Sequence, residues 1–394
     1  MKEILEIKKR AETGKPIVSG GRSNKEDKIN FDDLVFLPAQ LASRPKDYFR
    51  EEINTKTILG KNSKHPLELN MPILIAAMSF GALSASAKIA IAKGAAKVGT
   101  AHNSGEGGLL PEEKEFSNLL IVQYSTGRFG VTEDYLKNAE AVEIKIGQGA
   151  KPGQGGLLPA EKVTEKIAKT RNVPINQDVH SPPYHSDINN VEDLKKKVDW
   201  LREITDGKPI IIKLGAGNVE EDVKIALQAN PDIIAIDGLC GGTGAAPSVM
   251  LNDFGIPIIS AIVKARKVMD EFDATQELIV GGGFNSGSDI AKALALGADA
   301  VFLGTSLLVS MGCSYCKQCY LGKCPKGIAT QDPELEKNLD PRADEKVANF
   351  LNACNEEIKM VTAAIGYDDV SKLNKNNLRS LSLLIREISG IRLV

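Results

Sequence analysis

From residue 72 onward, short apolar runs alternate with segments of helical periodicity. Runs at 73–77, 98–102, 119–123, 142–146, 210–214, 233–237, 278–281 and 300–303 are rich in Ile, Val and Leu and show no polar alternation. Parallel strands buried on both faces read this way. Amphipathic stretches lie between most of them, for example 84–98, 220–229 and 286–296, with Gly297 where a helix stop belongs. Eight strands with intervening helices predict a (β/α)8 TIM barrel of the α/β class. A doubly wound open sheet is the alternative, because pattern alone does not establish closure. The stretch 147–209 is too long for an ordinary βα loop and reads as an insertion after the fourth strand, with a helix over 191–203. The expected organisation is an irregular N-terminal arm over 1–66, a barrel over 67–311, a cysteine-rich loop over 312–331 and a charged helical segment over 332–394 packed outside the barrel.

Composition narrows the function classes. The chain has 394 residues, with 49 Lys+Arg against 51 Asp+Glu, a formal net charge of −2. That balance argues against a strongly basic nucleic-acid binder. A content of 42% hydrophobic and 25% charged residues excludes disorder, collagen and coiled coil as descriptions of the whole. The segment from Met1 to Arg10 is charged and has no apolar run, so no signal peptide is expected. No stretch approaches the length of a membrane span, and the cytoplasm is the default location.

The 36 glycines gather in short loops, many at the ends of the strand candidates, where barrel enzymes place their chemistry. The first strand ends in Met78-Ser79-Phe80-Gly81, the second in His102-Asn103-Ser104-Gly105-Glu106-Gly107-Gly108 and the third in Gln123-Tyr124-Ser125 before Gly127-Arg128-Phe129-Gly130. The fourth carries Lys145 and opens into Gly147-Gln148-Gly149-Ala150-Lys151-Pro152-Gly153. The sixth ends in Asp237-Gly238 before Gly241-Gly242-Thr243-Gly244, the seventh in Gly281-Gly282-Gly283 and the eighth in Gly304-Thr305. Glycine-rich ends of strands seven and eight commonly hold a phosphate, since backbone N–H groups can approach its oxygens closely. A flexible turn is the plainer reading. Lys213 lies on an otherwise apolar strand and needs an anionic partner. It could stabilise charge developing on a reduced isoalloxazine ring, or form an internal ion pair, for instance with Asp237. His180 and His185 read as hydrogen-bonded loop residues more readily than as proton carriers, whereas His102, at a strand end, reads equally as a packed residue or as one touching a flavin. Lys195, Lys196 and Lys197 read as a solvated helix face.

Four of the six cysteines fall in one run, Cys313, Cys316, Cys319 and Cys324, with Pro325 after the last. The spacing C-x2-C-x2-C-x4-C-P lets thiolates from one loop converge on an iron–sulfur cluster. Structural zinc also uses C-x2-C pairs, commonly with a longer gap between them. A disulfide scaffold is usually short, with dispersed cysteines. Cys240 and Cys354 read as ordinary buried thiols.

Together these pieces resemble the central, FMN-binding synthase domain of glutamate synthase, in its archaeal-type variant, over about residues 72–331. The most specific segments are 78–81, 103–108, 127–130, 148–153, 181–183, 241–245 and 327–331, the last directly after the cysteines. The resemblance implies a (β/α)8 barrel carrying FMN and an iron–sulfur cluster. It places 3Fe–4S ligands on Cys313, Cys319 and Cys324, with Cys316 as a possible fourth that would make the cluster 4Fe–4S. It implies reductive amination of 2-oxoglutarate: ammonia gives 2-iminoglutarate, reduced FMN delivers hydride, and the cluster feeds electrons to the flavin. Arg128 and Lys151 would partner the carboxylates, and Glu106 would position substrate or handle protons. Ser79, Asn103, Gln123 and Lys213 carry over to the flavin ring, and Met78 to cofactor binding. Gly242 and Thr243 belong to the same cofactor loop, and Gly282, Gly283, Gly304 and Thr305 carry over to the phosphate.

Two departures stand out. The larger enzymes read Gly-Glu-Gly-Gly-Gln where this chain has Gly153-Gln154-Gly155-Gly156-Leu157. The chain also has no N-terminal cysteine nucleophile and no ferredoxin-like domain, so separate glutaminase and electron-carrier subunits, or free ammonia, are expected to complete the reaction. The competing readings are an N-methylglutamate synthase subunit using methylamine and a non-redox phosphate-binding barrel with structural zinc. A hydroxyacid oxidase would not need the cysteines.

Overall fold

The eight apolar runs become eight parallel strands that hydrogen-bond in a closed ring. They are β1 Ile73–Ile75, β2 His102–Asn103, β3 Leu120–Tyr124, β4 Ala141–Lys145, β5 Ile210–Gly215, β6 Ile233–Asp237, β7 Glu277–Gly281 and β8 Ala300–Leu303. Neighbours follow chain order, and β8 pairs with β1, so the ring closes and the open sheet is excluded. The computed structural model describes residues 2–23, 25 and 29–394; Met1, Asn24, Glu26, Asp27 and Lys28 of the predicted arm lie outside the described residues.

Inward positions build the barrel interior. Leu74, Ala101, Ile121, Ala141, Ile211, Ile233, Ala235, Ile279, Ala300 and Phe302 form one buried cluster. Leu59, Leu67 and Leu69 join it from below, out of the antiparallel strands Thr57–Leu59 and Leu67–Leu69. The branched side chains are nearly all fully buried, which suits a packed barrel rather than a pore.

The helices are α1 Ala85–Val98, α2 Pro111–Glu115, α3 Glu133–Lys137, α4 Val191–Ile204, α5 Val219–Gln228, α6 Ile258–Glu271, α7 Gly287–Leu296 and α8 Ala343–Ile365. Ser84 caps α1 by accepting the Ala87 N–H, and Gly99 ends it at φ 67°. Because α1 runs to Val98, the strand expected over 98–102 shortens to β2. Gly297 ends α7 in the left-handed region, as its position predicts. From the C-terminal segment, α8 packs on α1 and α7 and completes the helical ring outside the strands. A Cβ on Gly94 of α1 would lie 2.4 Å from Val347 of α8, so glycine sets this approach.

Two boundaries differ from expectation. Helix α4 packs against α3 and α5 and is the barrel's own fourth helix. The insertion is therefore 147–190, carrying the ladder Leu157–Leu158 with Val179–His180 and the helix Glu165–Arg171. The arm is also more than irregular chain. After the helix Lys2–Thr13, the strand Val18–Gly21 pairs antiparallel with Thr243–Pro247, across the C-terminal end of the barrel. Leu34–Phe36 pairs with Leu378–Ser380, tying the arm to the other end of the chain. Among the described residues no helix is long and apolar enough to cross a membrane.

Candidate active site

The C-terminal strand ends open into a cleft of about 1950 Å³ including its mouth. It is lined by Met78, Ser79, Glu106, Gln123, Lys151, Lys213, Gly242, Thr243, Gly282, Gly283, Gly304, Thr305 and all four clustered cysteines. Sixteen of the eighteen site residues singled out from sequence therefore face one space; there, Gly21 and Arg22 of the arm and Lys162 and Arg171 of the insertion join them.

The floor is the next inward layer above the apolar cluster. Two residues beyond Ile121, Ala141, Ile211 and Ala235 stand Gln123, Glu143, Lys213 and Asp237. Strand periodicity of two puts them on the same face. Gln123 Nε2 donates to Glu143 Oε1 at 2.6 Å, and Lys213 Nζ lies 3.2 Å from Asp237 Oδ2. Burial alone would lower the Lys213 pKa, but Asp237 and Glu143 outweigh it and hold the lysine above its ordinary value. Of the two expectations for Lys213, the internal ion pair with Asp237 is present, and the side chain also lines the cleft. Glu143 went unnoticed in the sequence; its alternation with Ala141 and Lys145 was the available signal.

Beside the floor, three cations surround one carboxylate. Lys145 Nζ donates to Glu106 Oε2 at 2.9 Å. Arg171 Nη2 donates to Ser79 Oγ at 2.9 Å and to the Phe80 carbonyl at 2.7 Å, and Lys151 Nζ donates to the Ala245 carbonyl at 2.8 Å. Gly107 leaves room for the guanidinium, since a Cβ there would sit 2.5 Å from Arg171 Cζ. Burial would raise the Glu106 pKa, but Lys145, a Ser181 hydrogen bond and Arg171 bring it down to about 2. Burial, helped by Lys145, lowers Lys151 to about 8. Glu106 Oε1 is buried with no hydrogen-bond partner among the described residues. Lys145, Lys151 and Arg171 against Glu106 leave a net charge of +2 with Lys151 protonated.

Opposite lies a glycine cradle. A Cβ on Gly242 would meet Thr305 Oγ1 at 2.6 Å, one on Gly282 would meet the Gly241 nitrogen at 2.8 Å, and Gly304 faces only Ala76, at 3.6 Å. Any side chain at the first two positions would fill the space where backbone N–H groups can meet an anion.

The cysteine loop closes the same cleft. Cys313, Cys319 and Cys324 are half-buried against the core, and Cys316 is exposed. All are free thiols. Burial lifts Cys319 to about 11; Cys313, Cys324 and Cys316 push it the same way, and the Lys162 ammonium opposes them. Four thiols close enough to influence one another, beside a buried cation, suit an anionic thiolate cluster. Among the described residues no three His, Cys, Asp or Glu side chains are arranged to hold a single metal ion. A cluster with several irons and bridging sulfides is reached by thiolates spaced more widely than those of one tetrahedral ion.

Two expected site residues stand elsewhere. Arg128 is not among the lining residues. Its guanidinium stacks 3.7 Å over Tyr124, pairs with Asp187 at 2.5 Å and donates to His185 Nδ1 at 2.8 Å. Asp187 takes its charge, and Arg171 occupies the place by the cavity. Asn103 lies behind the β2 loop, where its Oδ1 accepts the Gly105 N–H at 2.9 Å. His185 stacks on Tyr124 and contacts the Lys145 carbonyl at 2.9 Å; burial lowers its pKa to about 4, so it is a neutral brace. Lys197 is not simply solvated, since it pairs with Asp187 at 2.8 Å.

Comparison with known proteins bears on this geometry. The family model described as the conserved region in glutamate synthase matches residues 22–368. The chain is 40% identical to the archaeal-type glutamate synthase (NADPH) of Thermotoga maritima, covering 96% of this chain and 80% of that protein. It is 39% identical to the archaeal glutamate synthase (NADPH) of Methanocaldococcus jannaschii, covering 98% and 82%. It is 38% identical to a glutamate synthase large subunit-like protein of Rhizobium meliloti, covering 96% and 90%. Among solved structures, a chimeric (S)-mandelate dehydrogenase aligns with a TM-score of 0.60 at 17% identity, covering 92% and 93%, a likeness of fold.

Proposed function

Since this chain belongs to the glutamate synthase family of oxidoreductases, we propose that its cleft forms L-glutamate from 2-oxoglutarate and ammonia on bound FMN, with an iron–sulfur cluster in the cysteine loop. The observation that carries the reading is the convergence of glycine cradle, polar floor, +2 cluster and four thiols on one cleft. When bound, FMN supplies hydride for reducing the imine, and the cluster supplies the flavin with electrons.

The residues divide this work. Gly242, Gly282, Gly283, Gly304 and Thr305 hold the phosphate through backbone N–H groups and the threonine hydroxyl. Lys213 and Gln123 meet the polar edge of the ring, Lys213 keeping a proton at Nζ. Met78, Ser79 and Thr243 form the walls, and Asn103 shapes the β2 loop. Cys313, Cys319 and Cys324, with Cys316 as a fourth, hold a 3Fe–4S or 4Fe–4S cluster. A dianion such as 2-oxoglutarate neutralises the +2 of Lys145, Lys151, Arg171 and Glu106, and the planar Arg171 fork suits a carboxylate. Glu106, held ionised, offers Oε1 as an acceptor for an N–H of ammonia or the imine. Arg128 braces the insertion through Asp187 rather than touching substrate.

On this reading, residues 67–311 carry the flavin, 312–331 the cluster, and the arm 1–66 and segment 332–394 fasten both. Separate glutaminase and electron-carrier subunits complete the enzyme in a reducing cytoplasm. The test is anaerobic incubation with 2-oxoglutarate, an artificial low-potential donor and either ammonia or methylamine. L-glutamate formed faster from ammonia supports the proposal. N-methylglutamate as the main product favours the methylamine enzyme, and no amino acid product overturns both.

A further inference from the structure

The glycine cradle supplies hydrogen-bond donors but no formal charge. A phosphate monoester held away from water carries close to two negative charges and favours a planar guanidinium partner. The cations lining the cleft other than Arg22 lie against partners of their own, Lys317 among them, 4.9 Å from the Tyr315 ring. Lys145 answers Glu106, Lys213 answers Asp237, Lys151 and Arg171 belong to the +2 cluster, and Lys162 faces Cys319.

Arg22 lies on the cradle side. It lines the cleft together with Gly283, Thr305 and Ser306, and meets the same two hydroxyl residues in an adjoining shallow pocket. Its Nη1 donates to Asn285 Oδ1 at 3.2 Å, in the loop after β7 that begins with the cradle glycines. Its guanidinium sits 5.9 Å from the Tyr315 ring, in the cysteine loop. Immediately before it, Gly21 pairs with Thr243 across the cleft, and the Gly20 N–H donates to the Lys317 carbonyl at 2.9 Å. Arg22 is thus fixed at its root by the arm strand and reaches the cradle at its tip.

We propose that Arg22 is the charged partner of the cofactor phosphate, and that the arm acts as a clasp which the phosphate fastens. The inference rests on the FMN reading above. It adds a binding residue from a segment outside the barrel, and it couples cofactor binding to ordering of the arm. Phosphate held between the β7 and β8 loops and Arg22 would join all three segments at one point.

The test compares FMN with riboflavin, which lacks the phosphate, in titrations of the flavin-free full-length protein. Wild type should bind FMN more tightly. In Arg22→Gln, loss of a charge-assisted contact should weaken FMN about 10- to 100-fold and leave riboflavin unchanged. Arg22→Lys should fall between, which separates loss of charge from damage to the arm. Hydrogen exchange over residues 17–22 should slow on adding FMN to wild type, but not on adding riboflavin. Equal losses for both flavins in Arg22→Gln, or an FMN preference unchanged by it, would overturn the assignment. A wild type that binds both flavins equally would instead overturn the phosphate reading beneath it.

Discussion

At the lower end of the barrel, Leu59, Leu67 and Leu69 close upon Leu74, Ile121, Ile211 and Ile279 in an apolar cluster, with the buried Glu277 carboxylate accepting the Gly60 N–H at its edge. One inward step higher on the same strands stand Gln123, Glu143, Lys213 and Asp237, equally buried or nearly so and held by hydrogen bonds and an ion pair. A change of two residues along β5, from Ile211 to Lys213, crosses from packing to chemistry. The lower layer gains stability from area removed from water and tolerates conservative exchange. The upper layer bears the cost of desolvating charge, and such buried pairs are weak contributors to stability in themselves. Their retention is better explained by what they present to the cleft. The two ends teach that fold and function here are separated by height along the barrel, rather than assigned to separate strands.

The sharpest way to break this contrast is at the cysteine loop, furthest from the apolar layer. Cys319→Ser should lose the cluster, with iron and acid-labile sulfide near background and the barrel's circular dichroism intact; wild-type iron and sulfide would remove Cys319 as a ligand. Next is Lys213→Ala, which leaves Asp237 and Glu143 buried without their cation. A stability loss of about 3–5 kcal/mol is expected from denaturant titration, with weaker flavin binding. Unchanged flavin occupancy and turnover would take Lys213 out of the site. Arg171→Gln should raise KM for 2-oxoglutarate about 10- to 100-fold, with flavin content unchanged. Ile211→Val, directly beneath Lys213, should cost about 0.5–1.5 kcal/mol and leave flavin affinity and KM as in wild type. The smallest effect is with pH. Lys151 must be protonated to attract a dianion, and burial has lowered its pKa to about 8. KM for 2-oxoglutarate should therefore rise as pH passes upward through about 8, and Lys151→Arg should flatten that rise.

Much of this was legible in the chain. Unbroken Ile, Val and Leu runs mark strands buried on both faces, and each of the eight became a barrel strand. Glycines at strand ends marked the cradle, and four cysteines within one loop marked their own site. What pattern could not carry was the meeting of distant segments. Arg171 ends a short helix in an insertion without periodicity, and only the fold brings it to Ser79. Arg22 lies on an arm whose strand finds its partner some 220 residues on, at Thr243–Pro247. Arg128 sits in a motif that looks catalytic, yet Asp187 and Tyr124 draw its side chain aside. Glu143 hid because the mostly apolar run Ala141–Lys145 reads as a strand whether or not one position carries a carboxylate.

The central claim is that the upper end of this barrel holds a flavin and an iron–sulfur cluster in one cleft. Its most direct test is the absorption spectrum of the anaerobically purified chain, with iron and acid-labile sulfide assayed on the same sample. Flavin bands over broad cluster absorption, with iron and sulfide present together, are the predicted result. A colourless protein that contains zinc, or that takes up neither flavin nor iron after reconstitution, would contradict it.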